Sequence, residues 1–155
     1  MKRQAGFTLV ELMVTVAIAA ILLGIGVPSF RALIENNRIA AASNDVVTAL
    51  QYARSEAVKR GVLVDVCGTA DQATCIVAGA TGSLVRTAAG EVLRVWPAPG
   101  NGVTIVNAAV QFGPLGAATG APCYRITLGA LERSVSVSAS GSVTAVKVPP
   151  GPACP

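Results

Sequence analysis

The chain has no histidine among its 155 residues, eight Asp and Glu, and four cysteines. Without an imidazole there is no Ser-His-Asp or Cys-His nucleophile, no His-ligated zinc and no histidine acid–base pair. The carboxylates are scattered along the chain, and the glycine-rich stretches hold neither a GxxxxGK[ST] loop nor a GxGxxG opening a helix. Cys67, Cys75, Cys123 and Cys154 contain no CxxC pair and are irregularly spaced, a poor metal set. An even number of cysteines beyond an apolar segment suggests disulfides in an oxidising compartment, and four cysteines allow three connectivities. No catalytic residue, metal site or cofactor is expected, and the chain does not read as an enzyme. Trp96, Tyr52 and Tyr124 are expected as core anchors rather than ligand-stacking groups.

One carboxylate stands apart. Residues 7–27 read FTLVELMVTVAIAAILLGIGV, with Glu11 as the single charge. As a helix this run spans roughly 30 Å, the thickness of a bilayer's hydrocarbon core. A carboxylate near the centre of such a span costs about 2.5–3.5 kcal/mol, so Glu11 needs a partner or a place near the interface. Lys2 and Arg3 precede the run, which puts the N-terminus in the cytoplasm and the bulk outside, in a bacterium the periplasm. Ala17-Ile18-Ala19 offers an A-x-A cleavage site, but the apolar run continues to Val27 and Glu11 interrupts the h-region, so an ordinary signal peptide fits badly. Composition agrees with a membrane segment: 52% apolar, 13% charged, mean hydropathy +0.61. The net charge of +4 includes +2 from residues 1–6, which leaves a weak advertisement for nucleic acid.

The elements that position these residues follow from pattern. Pro28 removes the hydrogen bond to the Gly24 carbonyl and disfavours the α region at Val27, so a kink or a melted turn is expected there. Beyond it Ile39, Ala42, Val46, Leu50, Ala53 and Ala57 recur at helical spacing as one apolar stripe. Gly61 is the expected C′ stop, with Lys59 and Arg60 in the last turn. From Gly61 the texture changes to short β-branched runs between glycines and prolines. Expected strands are 62–67, with Val62, Val64 and Val66 on one face, then 91–96, 103–106, 109–112, 124–128, 134–138 and 143–148. Residues 68–90 read as loop-rich, 99–102 as a turn, and Ala139-Ser140-Gly141 as a hairpin turn. The fold class is α+β: a long N-terminal helix packed on a small antiparallel sheet or sandwich.

Lys2-Arg3-Gln4-Ala5-Gly6 followed by Phe7-Thr8-Leu9-Val10-Glu11-Leu12 resembles the leader and start of a type IV pilin or pseudopilin. The resemblance implies that prepilin peptidase cuts between Gly6 and Phe7 and methylates the new amine of Phe7. It implies that Glu11 pairs with the N-terminal amine of a neighbouring subunit and sets axial register. It also implies that the stretch before Pro28 can unwind as subunits pack.

The outer domain resembles the H-type minor pseudopilins of type II secretion and the fimbrial T-type minor pilins. The residues concerned are Val64-Asp65-Val66-Cys67 with Cys75, Glu91-Val92-Leu93-Arg94-Val95-Trp96-Pro97, Phe112-Gly113-Pro114-Leu115-Gly116 with Ala118-Thr119-Gly120, and Val135-Ser136-Val137-Ser138-Ala139-Ser140-Gly141. The implied organisation is a leader at 1–6, a transmembrane assembly helix at 7–27, an amphipathic continuation at 28–60 and a periplasmic β-rich domain at 61–155. Cys67 with Cys75 is the pairing that matches the family. Cys123 with Cys154 would pin the tail Pro149-Pro150-Gly151-Pro152, which has no hydrophobic grip of its own.

The implied function is that of a minor subunit of a secretion pseudopilus or a type IV pilus. Its implied partners are other pilin or pseudopilin subunits, prepilin peptidase, inner-membrane lipid and an inner-membrane assembly platform. Two alternatives are a DNA-binding minor pilin and a major pilin. DNA is an unlikely partner, since the stretch that carries Gly-Arg-x-Arg in DNA-binding relatives reads Gly141-Ser142-Val143-Thr144.

Overall fold

A computed structural model of the chain describes residues 8–76, 80, 82–97, 100, 102–107, 109–120 and 123–148. It divides into two compact units, Met1–Glu35 and Asn36–Pro155. One helix, α1 (Leu9–Arg60), runs through the first unit and opens the second. Helical backbone persists through Gly24 and Pro28. α1 stops at Gly61, whose φ of 68° and N–H bond to the Ala57 carbonyl at 3.0 Å close the last turn in the left-handed conformation. In that turn the Glu56 carboxylate accepts from Arg60 Nε at 2.6 Å, and the guanidinium holds its carboxyl below the usual range.

Nine strands follow: β1 (Val64–Thr69), β2 (Gly82–Thr87), β3 (Val92–Trp96), β4 (Thr104–Asn107), β5 (Val110–Phe112), β6 (Ala118–Gly120), β7 (Cys123–Leu128), β8 (Leu131–Val137) and β9 (Val143–Val148). They form two antiparallel sheets, β3-β2-β1-β5-β6 and β4-β7-β8-β9. The α1 stripe faces both. Ile39, Ala42, Val46, Ala49, Leu50, Ala53 and Ala57 are buried against Val64, Val66, Val85, Val110 and Phe112 of the first sheet and Ile105, Tyr124, Ile126, Val135 and Val137 of the second. Four of these helix positions are alanine, and each larger buried side chain contributes about 1.5–3 kcal/mol. Tyr124, wholly buried, donates its hydroxyl to the Val66 carbonyl at 3.3 Å and so joins the two sheets through the core. Burial pushes its phenol up.

The structure corrects the sequence expectations in three places. β2 lies inside the stretch expected to be loop: it is buried along nearly its whole length between β1 and β3, so its residues do not alternate and its small polar side chains concealed it. β6 pairs only three residues with β5, too few for a period to show. Val62 precedes β1 and is 41% exposed, so the face it was assigned to begins at Val64. Trp96 packs against the core as expected, half-buried on edge strand β3 and edge-on to a half-buried Tyr52 with ring centroids 5.5 Å apart. The Arg94 guanidinium sits 4.8 Å over the Trp96 ring, an arrangement suited to the rim of a core. The hairpin at 139–141 is present, joining β8 to β9.

Cys67 and Cys75 are joined in a disulfide with Cα atoms 5.5 Å apart. The loop they close is held from within by Asp71, which accepts from the amides of Ala73 and Thr74 and the hydroxyls of Thr69 and Thr74 at 2.7–3.1 Å. Those bonds hold its carboxyl well below the usual range. Cys123 is also disulfide-bonded, and Cys154 lies outside the described residues.

Two of the motif turns meet over one side chain of α1. Gly116 (φ 77°) ends the turn after β5, and Gly141 (φ 78°) ends the β8–β9 turn. Between the turns Ala118 N–H donates to the Ala139 carbonyl at 3.0 Å, and Arg54 Nη2 donates to the Ser140 carbonyl at 3.2 Å. A Cβ on Gly116 would stand 3.1 Å from Arg54 Nε, and one on Gly141 would drive into the Gly116 carbonyl oxygen. Arg54 thus ties the helix to the β8–β9 turn, and Ala118 ties that turn to the first sheet, at one point where only glycine fits. Gly141→Ala is expected to cost about 2–5 kcal/mol, from the left-handed φ and the backbone collision together. Gly61→Ala, equally left-handed but in open space, should cost only about 1–2 kcal/mol. Urea unfolding of the full chain in detergent measures both, and equal losses would show that the turns do not press together.

Candidate assembly site

The first unit has a simple chemistry. From Leu12 to Phe30 there are 19 consecutive uncharged residues, roughly 28 Å of helix, with Glu11 before them and Arg31 after. The large apolar side chains from Leu9 to Leu33 are all exposed, between 47% for Val27 and 74% for Leu9. The richest window has a mean hydropathy of 2.4, and Thr15 hides its hydroxyl on the Leu12 carbonyl at 2.8 Å. An apolar cylinder of this extent is far larger than the patches that stay in water, so lipid or other helices must cover it.

Its polar end is built by Thr8 and Glu11. Thr8 is the N-cap: its Oγ1 accepts from the Glu11 amide at 3.2 Å, while Glu11 Oε2 lies 3.4 Å from both the amide and the hydroxyl of Thr8. This is a reciprocal capping box, and it satisfies amides that a helix start leaves without partners. The T-x-x-E spacing before an apolar run is its signal in the sequence, one separate from the membrane cost and the subunit pairing considered for Glu11 above. Both contacts use Oε2, so Oε1 has no partner among the described residues. The carboxylate is exposed and already oriented by the cap.

Of the other residues singled out, Gly6 and Phe7 lie outside the described residues. Pro28 stands in the same helix as Glu11, about 25 Å further along the axis. Cys67 and Cys75 are brought together in the second unit. Among the described residues no group of His, Cys, Asp or Glu gathers into a metal-binding set.

Removing the cap should loosen the first turn. Thr8→Val keeps the size of the side chain but removes the oxygen, at a cost of about 1 kcal/mol. Amide exchange at Glu11, followed in detergent micelles, is expected to quicken about fivefold while exchange beyond Thr15 is unchanged. Unaltered exchange at Glu11 would show that Thr8 is not the cap.

Comparison with known proteins agrees with this division of the chain. Residues 1–27 match the prokaryotic N-terminal methylation motif, and residues 42–141 match the family described as type II transport protein GspH. Two crystal structures of the type IV minor pilin FimU from Pseudomonas aeruginosa (strain PAO1) share the fold. One has a TM-score of 0.54 at 20% identity, covering 69% of this chain and 91% of that one. The other has 0.55 at 21%, covering 72% and 90%. A comparison with curated proteins gives no match.

Proposed function

The chain belongs to the family of the type II transport protein GspH and is a minor pilin-like subunit, and from that premise we propose how it enters a filament. Proteins of this family and fold are structural subunits that assemble with other pilins or pseudopilins, and the methylation motif with its apolar helix marks a membrane-anchored member. The proposed work is to initiate or cap a short pseudopilus that drives protein export, or the equivalent step in pilus biogenesis, with no catalysis by the chain itself.

The observation that carries the reading is Glu11: one carboxylate at the head of a bilayer-length uncharged stretch of helix, with one oxygen that has no partner among the described residues. Prepilin peptidase would cut after Gly6, remove Lys2 and Arg3 with the leader, and methylate Phe7. The mature amine of a neighbouring subunit then supplies a cation to Glu11, at a depth where an unpaired charge is costly. Before assembly residues 7–27 lie in inner-membrane lipid with the N-terminus cytoplasmic and the cysteine-bearing domain periplasmic, as the basic leader directs. An inner-membrane assembly platform would lift the subunit from there. Pro28, which removes one helical hydrogen bond, marks where α1 would kink as subunits pack. The second disulfide is proposed as Cys123 with Cys154.

Intact-mass analysis of protein purified from membranes tests the processing step. The expected mass lacks Met1 to Gly6 and is heavier by one methyl group. A chain that keeps the leader in a cell with active peptidase contradicts the proposal. Glu11→Ala is expected to leave cleavage intact while filament-associated protein falls about tenfold or more; undiminished incorporation would remove Glu11 from the account.

A further inference from the structure

Beside the Arg54 tie, the last turns of α1 and the tip of the β8–β9 hairpin enclose an open groove of about 620 Å³. Its walls include Arg54, Ser55 and Lys59 on the helix and Ser142 on the hairpin, with Val58 and Val143 between them. Three features of the groove bear on what it could hold.

The first is charge. Two cations line the groove and no carboxylate does. The nearest acid on the helix, Glu56, is buried and engaged by Arg60 at 2.6 Å, and reaches Lys59 only at 3.8 Å. The Lys59 side chain is 78% exposed. The second is the apolar strip: Val58 is 53% exposed and Val143 half-buried, so the cations flank a surface that water covers poorly. The third is rigidity. The hairpin cannot drift from the helix, because Arg54 bonds the Ser140 carbonyl and Gly141 presses on Gly116. A groove fixed in this way loses little freedom when it is filled.

We propose that this groove seats an acidic side chain, flanked by apolar residues, from a neighbouring pilin-like subunit. Charge complementarity selects the occupant: Lys59 and the free edge of Arg54 receive the carboxylate, and Val58 and Val143 receive its apolar neighbours. Ser55 donates its hydroxyl to the Tyr52 carbonyl at 2.7 Å and so can only accept from the incoming segment. The groove is too small to be a whole interface, and acts as an anchor within a larger one. The inference rests on the chain being a filament subunit, and adds where its folded domain holds a neighbour.

The test uses the full-length protein in cells that assemble the filament, with a photo-crosslinking amino acid at Ser142. The expected result is an adduct whose mass-spectrometric identity is another pilin-like subunit. Lys59→Glu should reduce it about fivefold or more, turning attraction into repulsion, and Lys59→Arg should preserve it. A far-ultraviolet spectrum of purified Lys59→Glu protein matching the parent's establishes that the fold survives. An adduct indifferent to Lys59→Glu, an adduct with nucleic acid, lipid or a protein outside the pilin class, or no adduct from protein that sits in filaments, each overturns the inference and leaves the assembly reading intact. Protein absent from the filament fraction overturns both.

Discussion

Everything in the second unit depends on one helical stripe serving as the core of two sheets. Ala42, Ala49, Ala53 and Ala57 give the inner face of α1 small side chains, all buried in the cluster that both sheets share. Ile39, Val46 and Leu50 fill the space between them and set the rotation of the helix. Neither sheet has a complete core without that face. The first closes with Val64, Val66, Val85, Val110 and Phe112, the second with Ile105, Tyr124, Ile126, Val135 and Val137, and both sets touch the same helical stripe. The Arg54 tie and the Tyr124 hydroxyl then fix what the apolar packing only brings near.

The first unit works by the opposite rule. Among the described residues its helix has nothing packed on it, and its exposed apolar surface is the property that matters. Water cannot be its solvent, so its partners are lipid tails or other helices of the same kind. In such surroundings apolar contact has no direction, and the few polar groups decide position. Glu11 is the first of them. The capping box gives that carboxylate a fixed orientation before any partner arrives, which lowers the ordering cost of the contact proposed for it.

Much of this was legible in the sequence where a pattern repeats. The stripe from Ile39 to Ala57, the stop at Gly61 and the hairpin turn at Gly141 all followed from period or turn chemistry, and the core confirms them. The same rules fail where a strand is buried on both faces. Gly82–Thr87 has no alternation to detect, because neighbours on both sides supply its surroundings. Trp96 packs against the core as expected, but residue type does not say from where: it does so from an edge strand, with Arg94 and Tyr52 beside it. Gly116 and Gly141 stood in the sequence as separate motifs. Their meeting over Arg54 depends on tertiary structure alone.

The central claim is that the apolar helix of the first unit is an assembly element and more than an anchor. The direct measurement replaces residues 12–27 with a leucine-rich span of the same length, keeping residues 1–11 and everything from Pro28 onward. The fraction of protein in sheared filaments is then compared with the fraction in the membrane. If the helix is an assembly element, the variant remains in the membrane but is depleted from filaments, because the side-chain shapes that neighbouring helices pack against are gone. Equal incorporation of the variant and the parent would contradict the account and leave the helix as an anchor.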